Sequence, residues 1–216
     1  MPCLFTLALL AAQTGPPAAD RFARWEREIA AIEKRLTENP PPKGGVAFAG
    51  SSSIRLWDLK KSFPGRNVVN VGFGGSEIRD CTHFAPRILV PLEPKTIVFF
   101  AGDNDLADGR SPEQVRDDFR AFVAAVHGKL PGTKVLFVAV KPSPKRWALF
   151  ERQKRANELV KADVAAGDRL GYVDVVPAML GPDGKPIPDL FAKDQLHLSP
   201  KGYAVWAKLV TAALGD

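Results

Sequence analysis

The chain has 216 residues, 45% of them hydrophobic and 25% charged. That suffices for one domain with a sizeable core and is too apolar for a disordered chain. The formal net charge is +6, yet Lys and Arg are spread along the chain with acids between them, a solvated basic surface where a nucleic-acid footprint would need a clustered stripe or a binding motif.

In chain order, the apolar run from Leu4 to Ala12 falls well short of the roughly 20 residues that span a bilayer. It resembles the core of a secretory signal, with small residues at Ala11-Ala12 and Ala18-Ala19 as cleavage sites, although no Lys or Arg precedes it. Residues 1–19 are therefore expected to form a signal peptide or N-terminal arm, and 20–216 the functional domain. The expected address is secreted or periplasmic, with the cytoplasm as the alternative. Cys3 lies in the first segment, so Cys81 is the single thiol expected in the mature chain. No internal disulfide is then available, and Cys81 suits a small core residue better than a nucleophile.

From Asp20 to Leu36, Phe22, Trp25, Ile29, Ile32 and Leu36 recur at spacings of three and four, an amphipathic helix ended by Pro40-Pro41-Pro42. Five apolar runs follow, near residues 46–49, 67–71, 95–100, 133–140 and 171–175. Helical patterns separate them, through Ile78 to Leu89, Phe119 to Val126 and about Lys145 to Ala165, and a last helix runs from about Ser199 to Leu214. Alternation of this kind indicates an α/β fold whose parallel sheet is covered on both faces. No segment repeats and no linker divides the chain.

Three of the runs stop at glycine and polar residues: Gly50-Ser51-Ser52, Gly72-Phe73-Gly74-Gly75 and Gly102-Asp103-Asn104-Asp105. In open α/β sheets the loops leaving the strand tips line the ligand crevice. A serine there can simply cap the next helix. It can also act as a nucleophile if a base removes its proton, and histidine is the side chain that changes charge near neutrality. His83 and His127 fall on predicted helices with no acid at a motif spacing. His197 follows Asp194 by three in Asp194-Gln195-Leu196-His197, which lets a carboxylate reach Nδ1 of the same loop's imidazole. Gly72 to Gly75 lacks the third glycine of a dinucleotide loop, where Glu77 stands. Asp103 and Asp105, with no His or Cys near them, read as loop caps before metal ligands.

These four blocks, in this order, resemble the SGNH, or GDSL-type, serine hydrolases, over almost all of the span from Val46 to Trp206. The resemblance implies a flavodoxin-like three-layer sandwich with strand order 2-1-3-4-5, and ester hydrolysis with no cofactor and no metal. Gly50-Ser51-Ser52 overlays the family's Gly-Asp-Ser, which makes Ser52 the nucleophile and leaves Ser51 and Ser53 as the neighbours to distinguish; Ser51 in the Asp position departs from the pattern. Asp194 and His197 complete the implied triad, and the Ser52 N–H, Gly75 and the Asn104 amide the implied oxyanion hole. The expected substrate is a short acyl ester, acetyl above all, on a carbohydrate, because no long insertion supplies a lid or deep apolar tunnel. A lysophospholipase or thioesterase is the alternative, as is an acetylhydrolase of the platelet-activating-factor type, which Phe48 to Ser52 and Asn70 to Gly75 also resemble. A non-catalytic glycan-binding domain is the reading from outside enzymology. Neither a nucleic-acid partner nor stable membrane insertion is expected.

Overall fold

The structure, a computed structural model, describes residues 18–215. The expected signal segment lies almost wholly outside the described residues. Helices α1 (Ala18–Ala23) and α2 (Glu26–Glu38) lead to β1 (Val46–Gly50), α3 (Ser52–Arg55) and α4 (Leu59–Ser62). Then come β2 (Val68–Asn70), α5 (Ile78–Ile88), β3 (Thr96–Phe100), α6 (Asp103–Ala107) and α7 (Pro112–His127). β4 (Lys134–Val138), α8 (Phe150–Ala166), β5 (Leu170–Val173) and α9 (Pro200–Leu214) complete the chain. The five strands pair in parallel in the order 2-1-3-4-5, so the α/β class and the sheet order expected are those found.

Side chains alternate across a strand, which sorts the apolar runs onto two faces. Ala47, Ala49, Ile97, Phe99, Val135 and Phe137 pack with residues of α2, α5, α7 and α8, and Phe99 stacks on Phe122 at 4.0 Å. Phe48, Val98, Phe100, Leu136 and Val138 pack on the opposite face with Trp57, Trp206 and Val210. Both faces are covered, which explains runs that are continuously apolar. Each Val, Ile, Leu or Phe side chain so buried contributes roughly 1.5–3 kcal/mol.

Two helices differ from the periodic reading. The first breaks at Arg24-Trp25 because Trp25 turns inward, 4% exposed, to donate its indole N–H to the Gly74 carbonyl at 2.8 Å. Glu28 Oε1 accepts from Gly74 N at 3.2 Å, and Arg21 pairs with Glu77 and Asp80. The N-terminal helices thus brace the loop after β2. The other difference is the helix expected from Lys145, which starts as a 3-10 segment, Pro144–Leu149, with α8 beginning only at Phe150. Arg146 there leaves the helical region, at φ −118° and ψ 26°, and its side chain is used elsewhere, as described below.

Candidate active site

β1 ends at Gly50 because its φ is +131° and a Cβ there would lie 1.9 Å from the Phe100 carbonyl oxygen. Only glycine lets β1 lie this close to β3 at its tip. The chain then turns through Ser51, whose N–H donates to Phe100 O at 2.9 Å, into α3. Ser52 is the first helical residue, so its amide has no acceptor within the helix. Its hydroxyl stands 2.9 Å from His197 Nε2. Ser51 and Ser53 are 3% and 2% exposed, and Ser51 is the N-cap without a side-chain cap bond.

His197 and Asp194 sit in a tight loop in which Gln195 takes a left-handed φ of 58°. That turn brings Asp194 Oδ2 to 2.5 Å from His197 Nδ1, while Oδ1 accepts from the backbone N–H of Leu196 and of His197 at 3.0 Å each. The Leu196 amide, together with the bond from His197, lowers the Asp194 pKa to about 2. A carboxylate only accepts, so Nδ1 carries the proton and Nε2 presents its lone pair to the serine. Lys145 N donates to Gln195 O at 3.0 Å and ties this loop to the segment after β4. His83 instead stacks on Phe22 and His127 bonds Thr133 O.

The block after β2 runs beside the turn that follows β1, with Phe73 N donating to Gly50 O at 3.0 Å. Asn70 Nδ2 reaches Ile54 O at 2.6 Å and joins that block to α3. Gly75 is exposed, has a φ of +70° and would direct a Cβ into open space, so backbone is accessible there. Asn104, on α6, donates from Nδ2 to Ser76 O at 3.0 Å. An amide has two hydrogens, and the second is left for a ligand.

Of the residues beneath Asn104, Asp103 is expected from the sequence to be a loop cap, and Lys141, Arg146 and Gln153 have no functional reading there. Arg146 Nη2 donates to Asn104 Oδ1 at 3.0 Å, and its Nη1 lies 2.9 Å from Asp103 Oδ2. Asp103 also takes Lys141 Nζ at 3.3 Å and Gln153 Nε2 at 3.1 Å, with Lys141 only 1% exposed. Asp103 is therefore no loop cap; it is the buried anion that holds Arg146, and through it the amide orientation of Asn104. One signal was available: Lys141 follows directly on the apolar run Val135 to Val140. Asp105 does act as a cap, from a distance, accepting at Oδ1 from Ile78 N at 3.0 Å.

Burial pushes the Asp105 carboxyl up to about 7. The unfolded chain ionises such a group at about 3.9, so the folded state retains a proton that the unfolded state has released between about pH 4 and 7. Its contribution to stability should fall as pH rises through that window. Asp105→Asn keeps the acceptor for Ile78 and removes the charge, so the loss of urea midpoint from pH 4.5 to 8 should be smaller in the variant. An equal loss in both proteins would clear Asp105 of the effect.

Cys81 is buried against the Ser76 hydroxyl and burial raises its thiol pKa, as suits a core residue. Among the described residues, no group of three His, Cys, Asp or Glu could hold a metal ion, and no helix is long and apolar enough to cross a membrane.

With this geometry in view, residues 44–205 match the GDSL-like Lipase/Acylhydrolase family. The chain is 30% identical over 167 residues to platelet-activating factor acetylhydrolase IB subunit alpha1 of Bos taurus, covering 73% of this chain and 69% of that protein. A solved structure from Streptococcus pneumonia is similar in fold, with a TM-score of 0.80 at 18% identity over 91% of this chain and 96% of that one. A GDSL-like lipase from Bacteroides thetaiotaomicron is similar at a TM-score of 0.71 and 19% identity, covering 89% and 96% of the two chains. From the family match, which takes in the strand-tip serine, the asparagine loop and the Asp-x-x-His loop together, the chain belongs to the GDSL-like lipase/acylhydrolase family, the SGNH hydrolases, and is a carboxylic ester hydrolase.

Proposed function

We propose that this esterase removes short acyl groups, acetyl above all, with Ser52 as nucleophile, His197 as base and Asp194 orienting the imidazole. The observation that carries the reading is the 2.9 Å approach of Ser52 Oγ to a His197 ring held from behind by Asp194. Ser52 Oγ bonds to the ester carbonyl carbon while its proton passes to Nε2. The negative charge that develops on the carbonyl oxygen meets the Ser52 N–H, the backbone at Gly75 and the free hydrogen of the Asn104 amide. His197 then protonates the departing alcohol, and water, activated by the same imidazole, releases the acid.

The acetylhydrolase name of the relatives supports a small acyl group. On p-nitrophenyl esters from acetate to palmitate, turnover should be fastest at acetyl or propionyl and fall beyond about six carbons. Fastest turnover on decanoyl or longer esters would replace this reading with a lipase. The apolar run from Leu4 to Ala12 supports export as part of the same proposal, and a carbohydrate as the alcohol is tested below.

Asp194 is held as a carboxylate down to about pH 2, so its protonation should play no part in a loss of activity above about pH 4. The limiting slope of log kcat/KM against pH should then be one on the acid side, the signature of a single essential base. A profile flat from pH 5 to 9, with chemistry limiting, would remove the histidine base.

A further inference from the structure

A groove of about 740 Å³ starts at His197 and Asp194 and runs between the segment after α3 and the outer face of α9. A second hollow of about 600 Å³, lined by Arg35 and Asn70 among others, does not touch the triad. Leu56, Trp57, Leu198, Tyr203, Ala204 and Ala207 form its apolar lining. Leu56 lies one helical turn from Ser52, whose carbonyl accepts its N–H at 2.9 Å, and is 48% exposed, unusual for a large apolar side chain in this protein.

The chemistry assigns a direction to this groove. His197 Nε2 must give its proton to the alcohol oxygen as the carbon–oxygen bond breaks, so the alcohol leaves on the histidine side of Ser52. The carbonyl oxygen points the other way, toward Gly75 and Asn104. Several polar atoms of the groove are already used within the protein, while Asp58 and Lys61 stand exposed at its rim. Trp57 Nε1 donates to Ser62 Oγ at 2.8 Å, Tyr203 OH donates to Ser53 O at 2.9 Å, and Asp58 Oδ1 accepts from Lys61 N at 3.0 Å. Most of the lining is apolar, so a sugar seated against Leu56, Leu198, Ala204 and Ala207 would leave hydroxyls unpaired on burial.

Building on the esterase reading above, we infer that this groove binds the alcohol part of the ester, and that the preferred alcohol has an apolar alkyl or aryl body. Specificity would then be divided across Ser52, with a small acyl group on the oxyanion side and an apolar leaving group on the His197 side.

Hexyl acetate and ethyl hexanoate test this, because they are isomers that place the same alkyl chain on opposite sides of the ester oxygen. Full burial favours binding by about fourfold per methylene, so a groove open to solvent on one side should raise kcat/KM at least about tenfold from ethyl to hexyl acetate. Ethyl hexanoate should be slower than hexyl acetate by a similar factor. Ala204 is exposed on α9, so Ala204→Trp should fold, as its melting temperature would show, and partly fill the groove. The hexyl-to-ethyl ratio should drop below about threefold in that variant and in Leu56→Asn. A flat alkyl acetate series would overturn the inference. So would ethyl hexanoate matching hexyl acetate, a ratio unchanged in both variants, or an acetylated xylose turned over faster than hexyl acetate. Failure to hydrolyse any of these esters, p-nitrophenyl acetate included, would instead sink the esterase reading on which the inference rests.

Discussion

Ser52→Ala is expected to lose both ester hydrolysis and labelling by a fluorophosphonate probe, with kcat falling on the order of 10⁶-fold, as when a serine hydrolase loses its nucleophile. The size of the effect follows from the residue acting as one unit with His197 and Asp194. Without the hydroxyl, the 2.9 Å contact to Nε2 has nothing to deprotonate. Ser51→Ala and Ser53→Ala are the informative controls, because both residues adjoin Ser52 yet are buried, and the hydroxyl that bonds His197 is that of Ser52. Each should keep stoichiometric labelling. Labelling that survives in Ser52→Ala and vanishes in Ser51→Ala would move the nucleophile one position back.

The second large effect is expected at Asn104. If its free amide hydrogen meets the developing oxyanion, the bond strengthens in the transition state, and Asn104→Ala should lower kcat by about 10²- to 10³-fold, roughly 2.7 to 4 kcal/mol, with KM little changed. Asn104→Asp should be at least as damaging, since it sets a negative charge where a donor is needed. Arg146 bears on the same step without touching substrate, through its bond to Asn104 Oδ1 and its pairing with Asp103. Arg146→Ala should cost about tenfold in kcat in the native background and almost nothing further in Asn104→Ala, because a positioning residue has no effect once the group it positions is gone. An equal loss in both backgrounds would show that Arg146 acts some other way. An Asn104→Ala protein that melts normally and keeps most of its kcat would take the asparagine out of the site.

The sequence by itself determined the α/β class, because strand runs, turn glycines and helix stripes are each encoded within about ten residues of chain. The Asp194 to His197 spacing was legible for the same reason: the carboxylate and the imidazole belong to one turn. Sheet order and the roles of Ser52, Gly75 and Asn104 came from the resemblance of four blocks to a family, since periodicity does not say which strands are neighbours. The tertiary structure decided what depends on distant contacts. It set the Ser52 hydroxyl 2.9 Å from a histidine 145 positions away, with Ser51 and Ser53 buried on either side. It broke the first helix at Trp25, where an indole bond to Gly74 across 49 positions overrides an unbroken apolar stripe. It also placed Lys141, Asp103 and Arg146 beneath Asn104, and Leu56 opposite Tyr203 and Ala204 along the groove. None of these carries a local signature: a buried ion pair or a groove wall is defined by the residues that the fold brings opposite one another, and a single stretch of chain holds only one side of each.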